Sequence, residues 1–137
     1  MLFRSLAFWA VVLGVALGLP FGIICAIRQY SIFDSVSMVL ALIGVAMPNF
    51  WFGLLAVIVF SLTLGWLPSQ GMGEGLVPLL RSIVLPALTL GTGCAATVTR
   101  MTRSSMLEVI RQDYISTARA KGLSEKTVTY RHMLRNG

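Results

Sequence analysis

Few side chains in this sequence could carry out covalent or acid–base chemistry. Among 137 residues there are two cysteines, Cys25 and Cys94, one histidine, His132, and five acids: Asp34, Glu74, Glu108, Asp113 and Glu125. A metal centre needs several thiol, imidazole or carboxylate donors at short spacing, and neither cysteine has such neighbours. In apolar surroundings each thiol reads as a small hydrophobe, and the pair sets up no disulfide framework. His132 lies in a basic helical run and reads as a solvated side chain. The G-x-x-x-x-G-K-[ST] phosphate loop is missing, so nucleotide hydrolysis is not expected of the chain itself. No catalytic residue, cofactor or metal is expected.

One stretch imitates a cofactor site. "GTGCAA", residues 91 to 96, fits the relaxed dinucleotide pattern G-x-G-x-x-G/A, and Asp113 follows about 20 residues later. The context is wrong for it. "SIVLPALTL" would have to be a buried first strand with Pro86 inside it, where proline breaks the ladder. Only 24 residues follow Asp113, too few to complete a doubly wound sheet.

The remaining candidate is mechanical: "TARAKGLSEKT", residues 117 to 127. The run "SSMLEVIRQDYISTARAK" holds helix formers without proline or glycine, which predicts one helix over residues 104 to 121. Gly122 supplies the left-handed position that stops it. Ser124 can cap the next helix, with Leu123 and Val128 at the two positions of a hydrophobic staple. Two short helices with a fixed elbow result. The elbow is also charged: Arg100, Arg103, Arg111, Arg119, Lys121, Lys126, Arg131 and Arg135 face three acids, giving +5 of the chain's net +6. Such a tail could lie on anionic lipid at about 1 kcal/mol per cation. Lipid needs no defined turn, so the capped elbow favours a protein socket. The competing reading is a small stand-alone membrane protein whose basic tail binds anionic lipid or nucleic acid.

The elements behind the elbow are apolar. The chain is 56% hydrophobic and 12% charged, half the roughly 25% charge of soluble domains, and its mean hydropathy is +0.82. A hydrocarbon core of about 30 Å needs about 20 helical residues. Residues 5 to 27, 36 to 64 and 82 to 99 meet or approach that length, predicting three crossings in an all-α bundle. The whole of residues 1 to 137 reads as one partial transmembrane domain, with a cytoplasmic coupling region over 100 to 137. Positive loops stay inside, so the 65 to 81 loop and Met1 are expected outside. Trp66 beside Gly65 and Pro68 suits an interfacial anchor.

These spans carry packing signals. Gly14, Gly18 and Gly22 form a repeated G-x-x-x-G face, and Ala87, Gly91, Ala95 and Thr99 recur at the same interval. Pro48 in "VAMPNFWFG" removes a backbone donor and predicts a kink in the second span. Asn49 is polar at membrane depth, and together these two residues are candidates for lining a solute passage.

The run "LEVIRQDYISTARAKGLSEKTVTYRHMLRN", residues 107 to 136, resembles the cytoplasmic loop of membrane permease subunits in bacterial ATP-driven importers of the dipeptide, oligopeptide and nickel class. "AIRQYSIFDSVSMVLALIGVAMPNFWFGLL" and "LGWLPSQG" are similar to preceding segments of the same family. That family carries an E-A-A, three residues, G, nine residues, I-x-L-P motif that forms a coupling helix held by the ATPase. Here Ala118, Gly122 and Leu134 match it, while Ser116 and Thr117 replace the Glu and first Ala, and His132 and Arg135 replace the Ile and Pro. The resemblance implies an ATPase-coupling role for Asp113, Ser116, Thr117, Ala118, Arg119, Lys121, Gly122, Leu123, Ser124 and Leu134. It implies as partners ABC ATPase subunits, an identical or related second permease subunit, an extracytoplasmic solute-binding protein and the bilayer of a bacterial inner membrane, with no nucleic acid. Peptides, nickel and glutathione all remain admissible solutes. It further implies that the sequence is a middle fragment of a permease of about six helices.

Overall fold

The computed structural model describes residues 2–69 and 75–136, and every regular element among them is helical. Residues 70 to 74, in the middle of the predicted outer loop and including Gly71, Gly73 and Glu74, lie outside the described residues, as does Met1. Among the described residues two single helices are long and apolar enough to cross a bilayer: α1, Leu2–Ile27, and α4, Leu76–Ile110. At 1.5 Å per residue α1 is about 39 Å long. The third predicted span therefore begins earlier than residue 82. Residues 76 to 81, read above as loop, are the first turns of α4, and Pro78 is tolerated there because the opening N–H groups of a helix have no internal partner.

The most extensive packing in the chain joins α1 to α4. Its register is regular. A Cβ added at Gly14 would meet Cys94 Sγ at 2.5 Å, one at Gly18 would meet Val98 Cβ at 2.7 Å, and one at Gly22 would meet Thr102 Cβ at 2.6 Å. Each step of four along α1 matches a step of four in the same direction along α4, so the two helices are parallel. Residues 28 to 75 must consequently carry the chain back from one end of the bundle to the other.

They do so through a broken limb rather than one kinked span. Helix α2, Ile32–Ala46, ends at Met47, and α3 starts at Asn49, running as α-helix to Val57 and as a wider π-helix over Ile58–Thr63. The two halves meet at 101°. The second predicted span, over residues 36 to 64, is thus present as a pair of apolar helices, with a sharp break where a kink at Pro48 was expected. A residue before proline is pushed out of the helical region, and here both Met47 (ψ 131°) and Pro48 (ψ 131°) are extended. Two extended residues in succession end a helix, whereas proline alone would bend one.

The helix expected over residues 104 to 121 is also divided. Helix α4 stops at Ile110, Gln112 is extended (ψ 144°), and α5 covers Asp113–Ala120. Helix propensity favoured continuity, but the break lets Ile115 and Ala118 turn back into a cluster with Met106 and Val109. Burial of those side chains outweighs the few tenths of a kcal/mol per residue at stake in propensity.

Candidate functional site: a docked helical elbow

Helix α5 closes with a two-bond glycine cap. Gly122 has φ +78°, its N–H donates to Arg119 O at 2.9 Å, and Leu123 N–H donates to Ala118 O at 3.4 Å. This is the Schellman arrangement, in which a left-handed residue lets the chain satisfy the last helical carbonyls. The chain then re-enters a helix, α6, over residues 125 to 136, whose middle turn is π-helical. Ser124 caps α6 by accepting from Thr127 N–H at 3.4 Å. Across the bend Arg119 Nε donates to Glu125 Oε1 at 3.0 Å. That pair is exposed and contributes little.

The elbow is anchored by packing. Ile115 and Ala118 of α5 and Val128 and Met133 of α6 are buried in one cluster with Ala26 of α1 and Met106 and Val109 of α4, with Leu134 packed against it. The residues singled out in the sequence therefore divide by face. Ala118 and Leu134 turn inward, while Asp113, Ser116, Thr117, Arg119, Lys121, Gly122, Leu123 and Ser124 are exposed. Val128 is fully buried but Leu123 is 41% exposed and lies outside the cluster. The elbow is held by the ends of α1 and α4 more than by the local staple.

Beside this cluster lies a contact that sequence reading missed. Arg103 of α4 binds Asp34 of α2 through two parallel bonds, Nε to Oδ1 at 2.6 Å and Nη2 to Oδ2 at 2.7 Å. Asp34 is 3% exposed and also accepts from Tyr30 N–H at 3.1 Å, and its own N–H donates to Ser31 Oγ at 3.1 Å. Bidentate guanidinium–carboxylate pairs of this kind are strong and directional. The only available signal was that Asp34 is the sole acid in the first 73 residues. Its partner stands 69 residues away.

A sequence profile of the binding-protein-dependent transport system inner membrane component family matches residues 18–137. The chain belongs to that family. It is similar to a Brucella abortus protein named for a peptide transport system permease, with 49% identity over 96% of this chain and 43% of the relative. It is similar to the oligopeptide transport system permease protein AppB of Bacillus subtilis, at 42% over 93% of this chain and 42% of the relative. The di/tripeptide transport system permease protein DppB of Pseudomonas aeruginosa gives 39% over 96% and 46%. The chain thus spans less than half the length of these relatives. It is a multi-pass inner-membrane protein of a transport family, and that family is not one of hydrolases.

In this permease-family chain the small residues sit where the two parallel helices touch. Gly14 and Gly18 lie against Ala95 backbone, Gly91 lies 3.1 Å from Leu13 Cβ measured from an added Cβ, and Ala87 is buried on the same helix. Thr99 Oγ1 donates to Gly18 O at 3.3 Å, a direct bond between helices. Asn49 is exposed at the break and its Oδ1 approaches Gly93. It lines an open cavity of about 510 Å³ between α3 and α4, with Gly53, Ser82, Pro86 and Thr89. Pro48 shapes the break without lining that cavity.

Proposed function

We propose that this chain forms part of the membrane path of an ATP-driven importer for peptides or a related small solute. A separate ATPase would move it by gripping the elbow. The carrying observation is the two-sided elbow: its apolar side is seated on α1 and α4, and its polar side, with Ser116, Thr117, Arg119, Lys121, Leu123 and Ser124, is exposed. A load applied to that outer side passes into the transmembrane helices through Ile115, Val128 and Met133. The names of the similar proteins support a peptide cargo. Solute would arrive from an extracytoplasmic binding protein, and a second permease subunit would complete the path. The Asn49 cavity between α3 and α4 is the part of that path this chain supplies. The elbow would then face the cytoplasm, where its cations collect.

The contrasting idea of a basic tail spread on lipid fits the elbow less well. A surface-lying helix puts its apolar stripe into the headgroup boundary, whereas here Ile115, Val128 and Met133 are already buried against the chain itself.

The deciding experiment reconstitutes the full-length protein with its ATPase. Gly122→Pro forces a φ near −65° where the chain needs +78°, so ATP-coupled uptake is expected to vanish while membrane insertion persists. Normal uptake by this variant would overturn the proposal. A photo-crosslinker at position 121 should capture the ATPase; capture of lipid alone would count against it.

A further inference from the structure

We infer that the turn joining α1 to α2, together with Asp34, is a second coupling element: a clasp that makes the α2–α3 limb follow α4 when the elbow is moved. The inference rests on the function proposed above and adds the route by which motion leaves the rigid part of the molecule.

Helices α1 and α4 are closely interlocked, because a Cβ added at Gly14, Gly18 or Gly22 would meet side chain and backbone of α4 at three successive turns. The elbow is packed on their ends, so these three parts move as one body. The limb is attached differently. Along α2 the buried side chains are Asp34 and Ala41, and along α3 only Ala56. Gly44 approaches Ala96, and Gly53 approaches Thr89, at ordinary or slightly tight spacing. Apolar surface in this setting provides little orientation, since lipid or a neighbouring helix can replace it. Among the described residues the Asp34–Arg103 pair is the short, bidentate polar joint between limb and body.

The local backbone is built around that joint. Tyr30 is the one non-glycine residue with positive φ (63°) among the described residues, a conformation that side chains resist. It places Tyr30 N–H on Asp34 Oδ2. Ser31 caps α2 through Asp34 N–H while its own hydroxyl donates to Arg28 O at 2.6 Å. The same turn reaches the elbow's hinge, where Arg111 Nη2 donates to Tyr30 OH at 3.4 Å. Arg103 is one helical turn from Met106 in the elbow cluster. A carboxylate so enclosed cannot leave its guanidinium without stranding a buried charge. Displacing the elbow end of α4 therefore draws the start of α2 with it, and the 101° break at residues 47 and 48 is where the limb bends to accommodate this. That break borders the Asn49 cavity, so the clasp connects the elbow to the proposed path. Asp34 and Arg103 are positioning residues; neither is required to touch solute.

The test uses the full-length protein with its ATPase in proteoliposomes, comparing Asp34→Asn, Arg103→Gln and Asp34→Glu. The first two are expected to keep ATP hydrolysis while uptake per ATP falls about ten-fold, and Asp34→Glu to recover most of it. Unchanged uptake per ATP overturns the clasp. So does loss of both variants from the membrane, which would assign the pair to folding alone. A second measurement needs no ATPase: spin labels at the exposed Val39 and Met101 report the separation of α2 and α4. Asp34→Asn should broaden that distance distribution, and an unaltered distribution overturns the inference. If Gly122→Pro also leaves uptake intact, the proposed function has failed. If uptake depends on Gly122 but not on Asp34, only the clasp has.

Discussion

Two parts of this molecule hold on to α4 in opposite ways. Helix α1 meets it along its length through glycines whose missing side chains are filled by Cys94, Val98 and Thr102. The α2–α3 limb meets it at isolated points, with a break in the middle and one bidentate ion pair at the end near the elbow. Both are apolar and helical, so composition does not separate them. The difference lies in how closely backbones approach. Close approach fixes which faces of the two parallel helices meet, whereas a wider spacing leaves orientation to whatever polar contact is present.

The sharpest way to break this contrast is Gly18→Ala. Its Cβ would fall 2.8 Å from the Ala95 carbonyl and 2.7 Å from Val98, and backbone cannot yield as a flexible side chain can. A loss of about 3 kcal/mol is expected, read as reduced resistance to unfolding in a mixed detergent titration. Asp34→Ala attacks the other attachment and leaves Arg103 without its partner. Because Arg103 is 23% exposed, about 2 kcal/mol is expected, below the full cost for a wholly buried pair, with α2 losing its fixed distance to α4. Gly122→Ala leaves both attachments intact and costs about 1 kcal/mol for a side chain at positive φ. No neighbour lies within 4 Å of its added Cβ, so the change should show in the elbow's amide exchange and not in the helix pairing. The smallest effect sharpens the comparison most. Gly53→Ala on the limb would meet Thr89 Cγ2 at 3.6 Å, ordinary contact, and should be neutral or slightly stabilising within about 0.5 kcal/mol. Equal effects at Gly18 and Gly53 would abolish the distinction.

What could be read in the sequence was what local rules decide. Gly122 as a left-handed stop, Ser124 as a cap and the four-residue glycine spacing all depend on residues within one or two turns. Pro48 announced a disturbance but not its size, because the second extended residue, Met47, follows from proline's effect on its predecessor. The division at residues 111 and 112 carried no mark: no proline or glycine is there, and the break exists because Ile115 and Ala118 find Met106 and Val109. Asp34 and Arg103 stand 69 residues apart, and pairing them required knowing that α2 returns beside α4. The inward and outward faces of the elbow were unreadable for the same reason. Ala118 and Leu134 looked like members of a docking surface until the surface beneath them was known.

The even spacing of the glycines has an effect on alignment. If α1 slipped one turn along α4, about 6 Å, Gly14 would face Val98 and Gly18 would face Thr102, nearly the fit they already have. Two positions would be obstructed: Ala10 would bring its methyl to Cys94, where a Cβ at Gly14 already falls 2.5 Å from Sγ, and Gly22 would arrive at Met106, which is 1% exposed and already seated in the elbow cluster. Three identical teeth cannot count turns for themselves. The residues that bound the run, Ala10 before it and Met106 beyond it, are what tell the two helices where to stop in that direction.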